Sequence, residues 1–222
     1  VAIDGPAASG KSTAAIGVAK ALNITHIDTG AMYRAITYGL LKNKIEFTDL
    51  DGVEAYLESV NLKFFKNDSV TKLLLNNSDI TENIRSNNIN ENVSEVSAIK
   101  IVRDFMVKFQ REMSCDIDCV LEGRDIGTVV FPNADFKFFI IASDEARANR
   151  RLDDLIKVGD KNPGDFEIVL EELITRDYKD STRDHSPLKK ADDALEIDTT
   201  HLTINEVVNK IVNTVNQKRT LY

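Results

Sequence analysis

No apolar run in this 222-residue chain approaches the roughly 18–20 residues that a membrane-spanning helix needs, and no secretory leader pattern is present. A basic excess is missing too. The formal net charge is −8 and the pI is near 5.0, which argues against a general nucleic-acid or membrane-surface binder. Cysteine is scarce: Cys115 and Cys119 stand four apart, with no His or Cys at metal spacing. A zinc site or a redox Cys-x-x-Cys pair is thereby disfavoured, and reduced, inert thiols in a cytoplasmic protein are expected. There is no internal repeat and no long low-complexity tract, although Asn is frequent between 76 and 92. No Asn-Lys-x-Asp motif occurs, so a regulatory GTPase lacks its guanine-recognition element. The chain opens without Met, directly on a strand-like run, and a few residues are expected to precede it.

The strongest positive signal lies at the very start. Within Val1-Ala2-Ile3-Asp4-Gly5-Pro6-Ala7-Ala8-Ser9-Gly10-Lys11-Ser12-Thr13, Gly5, Gly10, Lys11 and Ser12 fit the phosphate-loop pattern G-x-x-x-x-G-K-[ST]. A short apolar run precedes it, as a buried parallel strand would. Ala14, Ala15, Val18, Ala19 and Leu22 follow at helical spacing. Small residues at Gly5, Ala7, Ala8 and Gly10 let backbone N–H groups converge on phosphate oxygens, and a helix starting near Lys11 adds its positive end. Lys11 is expected to reach the β/γ-phosphates, and the Ser12 hydroxyl to ligate Mg²⁺. The expected ligand is a nucleoside triphosphate.

Further along, Asn23 to Asp28 reads as a second strand, and a helix begins with Thr29 near the N-cap and runs to Leu40-Leu41. Two β–loop–α units in under fifty residues announce a parallel sheet with crossover helices. The pattern then changes. Leu62–Phe65 and Val70–Leu75 are short strand candidates around a turn at Asn67-Asp68-Ser69, with a second turn at Asn76-Asn77-Ser78-Asp79, a small antiparallel insertion. Val93, Val96, Ile99, Val102, Met106 and Phe109 then form a helical stripe between Ile89 and Met113. Cys119–Glu122 and Phe136–Ala142 read as the third and fourth strands. A helix carries Arg147, Arg150 and Arg151 into a Gly/Pro-punctuated loop at 157–164. The next helix, about 165–183, has Phe166, Val169, Leu170, Leu173 and Ile174 inward. Ala194–Asp198 is the fifth strand, and Thr203 with Glu206 forms a capping box for the last helix. Length and a 42% hydrophobic content fit one α/β domain with an insertion. A five-stranded parallel sheet with helices on both faces is expected.

Phosphoryl transfer needs both substrates in line and the moving charge neutralised, so the positions of the arginines matter. Arg34 follows the second strand and Arg124 the third, at the carboxyl ends where open α/β sheets bind ligands. Each alone reads more readily as a surface ion-pair partner, but together, at equivalent strand ends, they favour a site. Arg176, Asp180 and Arg183 fall within about 60° of one another on one helix face, which alone implies an exposed pair worth a few tenths of a kcal/mol. Their position after the Gly/Pro loop suggests a closing lid instead.

Four motifs carry a family resemblance over essentially the whole chain: Ile3-Asp4-Gly5-Pro6, Asp28-Thr29-Gly30-Ala31-Met32-Tyr33-Arg34, Gly123-Arg124-Asp125-Ile126-Gly127-Thr128-Val129-Val130-Phe131-Pro132, and Arg176-Asp177 with Arg183 downstream. The chain resembles the bacterial-type cytidylate kinases, within the P-loop nucleoside monophosphate kinase group. The resemblance implies a single kinase domain over 1–222, with its core at about 1–58, 99–150 and 184–222. It implies an NMP-binding insertion at about 59–98 and a lid at about 151–183. It implies transfer of the ATP γ-phosphoryl group to CMP or dCMP with Mg²⁺, by a cytoplasmic monomer that has neither nucleic-acid nor membrane partners. Gly5 to Thr13 would bind the donor, with Arg147, Arg150 and Arg151 facing its triphosphate. Lys11, Arg124, Arg176 and Arg183 would be catalytic. Thr29, Tyr33 and Arg34, with Arg124, Arg176 and Arg183, would serve the monophosphate side, Ser94, Arg103 and Asp125 would read cytosine, and Asp180 would touch the sugar. Many relatives have Ser where Thr29 stands, and Thr keeps the hydroxyl.

Ser94 and Arg103 are nine apart, about 180° around an unbroken helix, so both can face one base only if the helix breaks near Ser97. Two helices are therefore expected there. Asp125 reads also as a turn or N-cap Asp. Within enzymes, another small-molecule kinase such as adenylate or shikimate kinase is the alternative, since the P-loop alone does not separate them. A degenerate, binding-only homologue is disfavoured by the intact Lys11 and Ser12.

Overall fold

The computed structural model describes residues 1–67, 70–157 and 164–219. Asp68 and Ser69 of the expected turn lie outside the described residues, as do residues 158–163 of the expected polar loop. The chain forms two compact units, Val1–Ile27 with Ser114–Tyr222, and Asp28–Met113.

The first unit is built on a five-stranded parallel sheet. Its strands are β1 (Ala2–Asp4), β2 (Thr25–Asp28), β6 (Cys119–Gly123), β7 (Lys137–Ile141) and β8 (Leu195–Asp198), in the order β2-β6-β1-β7-β8. The strand feeding the phosphate loop is thus central, with Asp4 level with Gly123 of β6 and Phe139 of β7. Ile3, Val120, Phe138, Ile140 and Ile197 of the sheet share a core with α1 (Lys11–Leu22) and α8 (Ile204–Arg219). The alanines of α1 let it lie close: a Cβ on Gly17 would come 2.6 Å from Val208 of α8. The capping box holds, with Glu206 accepting from the N–H and hydroxyl of Thr203 at the start of α8. A satellite core joins Ala7 of the phosphate loop to Ala148, Val169 and Leu173 of α6 (Asp144–Lys157) and α7 (Phe166–Thr182). Ile174 corrects the expected inward set, since it is 47% exposed. A ladder of Val169 and Leu173, four apart, already covers the narrow seam against α6.

The second unit contains α2 (Thr29–Lys42), α3 (Leu50–Ser59), the antiparallel sheet β3 (Leu62–Asn67), β4 (Val70–Leu75) and β5 (Ser78–Asp79), then α4 (Asn87–Val96) and α5 (Lys100–Ser114). It reaches well past the antiparallel piece on both sides. Asp28, not Thr29, caps α2 by accepting from the Ala31 N–H at 2.8 Å. Thr29 is the first helical residue and is buried. No helix was expected at α3. Its start, Asp49 accepting from the Gly52 N–H, and its buried Val53, Tyr56 and Leu57 are ordinary helix signals. The stripe from 89 to 113 does break where required: α4 ends at Val96 and α5 begins at Lys100. The freed carbonyl of Ser97 accepts from the Arg103 guanidinium at 3.0 Å, and the Ser97 hydroxyl donates to the Ser94 carbonyl.

Candidate active site

The donor loop leaves β1 and enters α1 without any side-chain cap and with no acidic residue in the first turn, so the helix N-terminus is left suited to an anion. Ala8 (φ 55°) and Gly10 (φ 87°) both take left-handed backbone, the alternation that curls successive amides into an anion-binding concavity. Lys11 is buried and donates to the Pro6 carbonyl at 3.0 Å, which bends its amine back over the loop. The Ser12 hydroxyl donates to Glu122 Oε2 at 2.5 Å, and Glu122 Oε1 lies 3.0 Å from His26 Nε2. Glu122, at the carboxyl end of β6, is 2% exposed.

Beyond β6 the chain turns through a π-helical segment, Ile126–Val130. Asp125 stands at its N-cap position but makes no side-chain cap. The two amides such a cap would serve belong to Asp4 instead, whose oxygens accept from Ile126 N–H at 2.8 Å and Gly127 N–H at 2.7 Å. Asp4 thereby ties the segment carrying Arg124 and Asp125 to the strand that feeds the donor loop. Burial pushes its carboxyl up to about 6, against the pull of the two amides; Asp125 adds to the rise and Arg124 opposes it. A raised acid favours folding most when protonated. Its contribution is full below 3.8 and is lost as pH rises through about 6. Asp4→Asn does not titrate. Relative to wild type it is expected to gain about 3 kcal/mol in unfolding free energy between pH ~4 and ~7, as urea unfolding at the two pH values would show.

Three guanidinium groups converge on one carboxylate of α7. Arg124 Nε donates to Asp180 Oδ2 at 3.0 Å, and Arg183 Nη1 lies 3.9 Å from Asp180 Oδ1. Burial pushes the Asp180 carboxyl up, but Arg124, Arg176 and Arg183 together hold it below the usual carboxylate range. The exposed ion pair that the helix face alone would imply is not what forms, because the Asp180 and Arg183 side chains are only 6% and 5% exposed. Helix α7 ends at Thr182 with Arg183 as its C-cap; the Arg183 Nε donates to the Ser186 carbonyl, while Leu188 N–H donates to the Asp180 carbonyl.

On α6, Arg147 and Arg150 reach the backbone of the donor loop. Arg147 donates to the Ala7 carbonyl and pairs with Asp177 and Asp144. Arg150 donates to Thr199 just after β8, and Thr199 in turn holds the Ser9 carbonyl at 2.9 Å. Arg151 is half-buried on the same helix.

In the second unit Arg34 pairs with Asp28 at 3.1 Å, with both side chains partly exposed. The Arg103 guanidinium, 2% exposed, stacks 5.3 Å over the Tyr33 ring. Ser94 is half-buried on α4. Tyr33, Ser94 and Arg103 therefore share this unit.

Four residues of the first unit escaped the sequence reading in their roles: Asp4, His26, Glu122 and Asp177. A carboxylate ending an apolar strand is the signal that was available for Asp4 and Glu122, since such a group is rarely buried without a task. The Ser12 hydroxyl beside the Glu122 carboxylate is a hard-oxygen donor set, and it fits Mg²⁺. Among the described residues no group of three or more His, Cys, Asp or Glu side chains could hold a metal. Magnesium here would therefore be shared mainly with phosphate oxygens and water.

A parallel sheet whose central strand feeds a G-x-x-x-x-G-K-S loop, flanked by an arginine-rich helix pair, defines a P-loop phosphotransferase of the nucleoside monophosphate kinase fold. The family model described as cytidylate kinase matches residues 1–217, and the chain belongs to the cytidylate kinase family. Cytidylate kinases from Fusobacterium nucleatum and Clostridium tetani are 53% and 48% identical to it over 211 residues. The match covers 95% of this chain in each case, and 94% and 91% of theirs. That of Bacillus subtilis is 46% identical over 219 residues, 98% of this chain and 96% of its own. An uncharacterized protein from Eubacterium ventriosum shares the fold at a TM-score of 0.51 and 12% identity, covering 97% of this chain and 96% of that one. No helix among the described residues is long and apolar enough to cross a membrane.

Proposed function

We propose that this chain transfers the γ-phosphoryl group of ATP to CMP and dCMP with Mg²⁺, as a cytoplasmic monomer in pyrimidine nucleotide metabolism. The observation that carries the reading is the convergence of Arg124, Arg176 and Arg183 on Asp180, in the same compact unit as an intact donor loop. Amides of residues 8–13 and Lys11 hold the donor phosphates. The three arginines hold the acceptor phosphate and offset charge in transit. One acceptor phosphate oxygen forms a bond to Pγ while the bond from Pγ to the β–γ bridging oxygen breaks, and ADP leaves with that electron pair. No general base is required, because the attacking oxygen is already anionic. Bound Mg²⁺ supplies charge neutralisation on the donor phosphates. Ser12 and Glu122 would hold it, with His26 fixing the far oxygen of Glu122.

In the second unit, Thr29 and Arg34 serve the monophosphate, and Ser94 and Arg103 read cytosine; in the first, Asp125 is a substrate-binding residue. Tyr33 supports the Arg103 guanidinium through its ring. Asp180 serves the sugar as well as its arginines. Residues 59–98 act as the NMP-binding piece and 151–183 as the lid. Glu122→Gln is expected to raise the Mg²⁺ concentration for half-maximal rate by roughly 10–100-fold, read from a Mg²⁺ titration at saturating nucleotides. The reaction itself is followed by ³¹P NMR of ATP, CMP and Mg²⁺ with the protein. CDP and ADP resonances should grow together and stop on adding EDTA. Hydrolysis of ATP that ignores CMP would overturn the reading.

A further inference from the structure

We infer that Asp177 and Arg147 are positioning residues for the donor loop, acting as a clamp on the backbone of Ala7, its N–H and its carbonyl, rather than as nucleotide contacts. The inference rests on the reading of residues 5–13 as a phosphate loop and departs from the role that the family resemblance implies for Arg147. The Ala7 N–H donates to Asp177 Oδ1 at 3.1 Å, and the Ala7 carbonyl accepts from Arg147 Nη1 at 3.0 Å. The same Nη1 donates to Asp177 Oδ2, so backbone, carboxylate and guanidinium close one ring. Arg147 Nη2 is engaged by Asp144 at 2.5 Å, and the residue is only 4% exposed. Both terminal nitrogens are thus engaged by protein oxygens, and only the buried Nε has no hydrogen-bond partner. Ala7 also packs into the apolar seam of α6 and α7 formed by Ala148, Val169 and Leu173. Ala7 directly precedes Ala8, the first residue of the left-handed turn, so its peptide plane sets where the following amides point.

The clamp has a mechanical consequence. Asp177 lies between Arg176 and Asp180 on α7, the helix that gathers the arginines assigned to the acceptor phosphate. Asp177 therefore joins that helix to the donor loop, and its loss should weaken donor binding while leaving acceptor binding alone.

The test is equilibrium binding of MgADP and of CMP, each alone, to the full chain carrying Asp177→Ala, Arg147→Ala or both. Each single variant should raise the Kd of MgADP at least tenfold and change the Kd of CMP less than threefold. The double variant should be no worse than the poorer single, because one ring is broken either way. A MgADP affinity within twofold of wild type, equal loss of both ligands, or additive losses in the double variant would overturn the proposal. Additivity is what a direct Arg147–phosphate contact predicts. If the alanine variants melt below the assay temperature, Asp177→Asn and Arg147→Lys decide on the same criteria, since each keeps part of the ring. Wild-type protein that fails to bind MgADP would sink the phosphate-loop reading itself, a distinguishable result.

Discussion

Replacing Arg183 or Arg176 by alanine is expected to lower kcat/KM for CMP by roughly 10²–10³-fold, the usual cost of removing one preorganised charge donor from a transferring group. Both side chains act on the buried carboxylate of Asp180, and Arg124 bonds it directly. At low dielectric a guanidinium held in place interacts far more strongly with an arriving phosphate than a solvated one does. If the group only steadied the fold, the variants would lose thermal stability in proportion to activity. A kcat loss with the fold kept is expected instead, since α7 retains its packing through Val169 and Leu173. Arg183→Lys should recover only part of the rate, because an ammonium cannot reproduce the forked contact of Arg with phosphate. Steady-state kinetics over CMP concentration, alongside thermal melts, checks both statements.

Gly5→Ala should be the most damaging single change in the donor loop. Gly5 has φ 154°, and a Cβ there would sit 2.1 Å from the Ile140 carbonyl oxygen of β7. That oxygen is backbone in a central sheet and cannot step aside. The cost combines left-handed strain with overpacking, roughly 3 kcal/mol or more of unfolding free energy, with donor binding lost as the loop is displaced. Gly10→Ala is the internal control. Its φ is 87°, but the nearest atom to an added Cβ, Arg150 Nη1, is 3.7 Å away. Only backbone strain of about 1–2 kcal/mol is expected there. Urea unfolding of the two variants should rank Gly5→Ala clearly below Gly10→Ala. Equal effects would mean that loop flexibility, not the contact with Ile140, governs this position.

The features legible in the sequence are those written in neighbouring residues. The donor loop, the parallel strands, the capping box at Thr203 and Glu206, and the helix break at Ser97 each follow from local pattern or simple angular arithmetic. The features that were not legible depend on register between strands far apart in the chain. Nothing near Asp4 indicates that it caps amides at 126 and 127, 122 and 123 residues away. Only the pairing of β1 with β6, which sets Asp4 level with Gly123, brings them together. Glu122 meets Ser12 and His26 because β6 lies between β1, which feeds the loop and α1, and β2, which carries His26. The arginine face of α7 was visible as a face, yet its burial was not, because the sequence of one helix does not say what Arg124 will bring to it. The capping of α2 by Asp28 rather than Thr29 is a one-residue ambiguity that adjacent N-cap candidates always leave.

The central claim, phosphoryl transfer from ATP to a cytidine monophosphate acceptor, is tested most directly by a coupled assay of ADP formation. Purified protein with MgATP would be offered CMP, dCMP, UMP or AMP at a range of concentrations. The account predicts the highest kcat/KM for CMP and dCMP, with AMP far behind. A preference for AMP, or ADP formation at the same rate with no acceptor present, would contradict it.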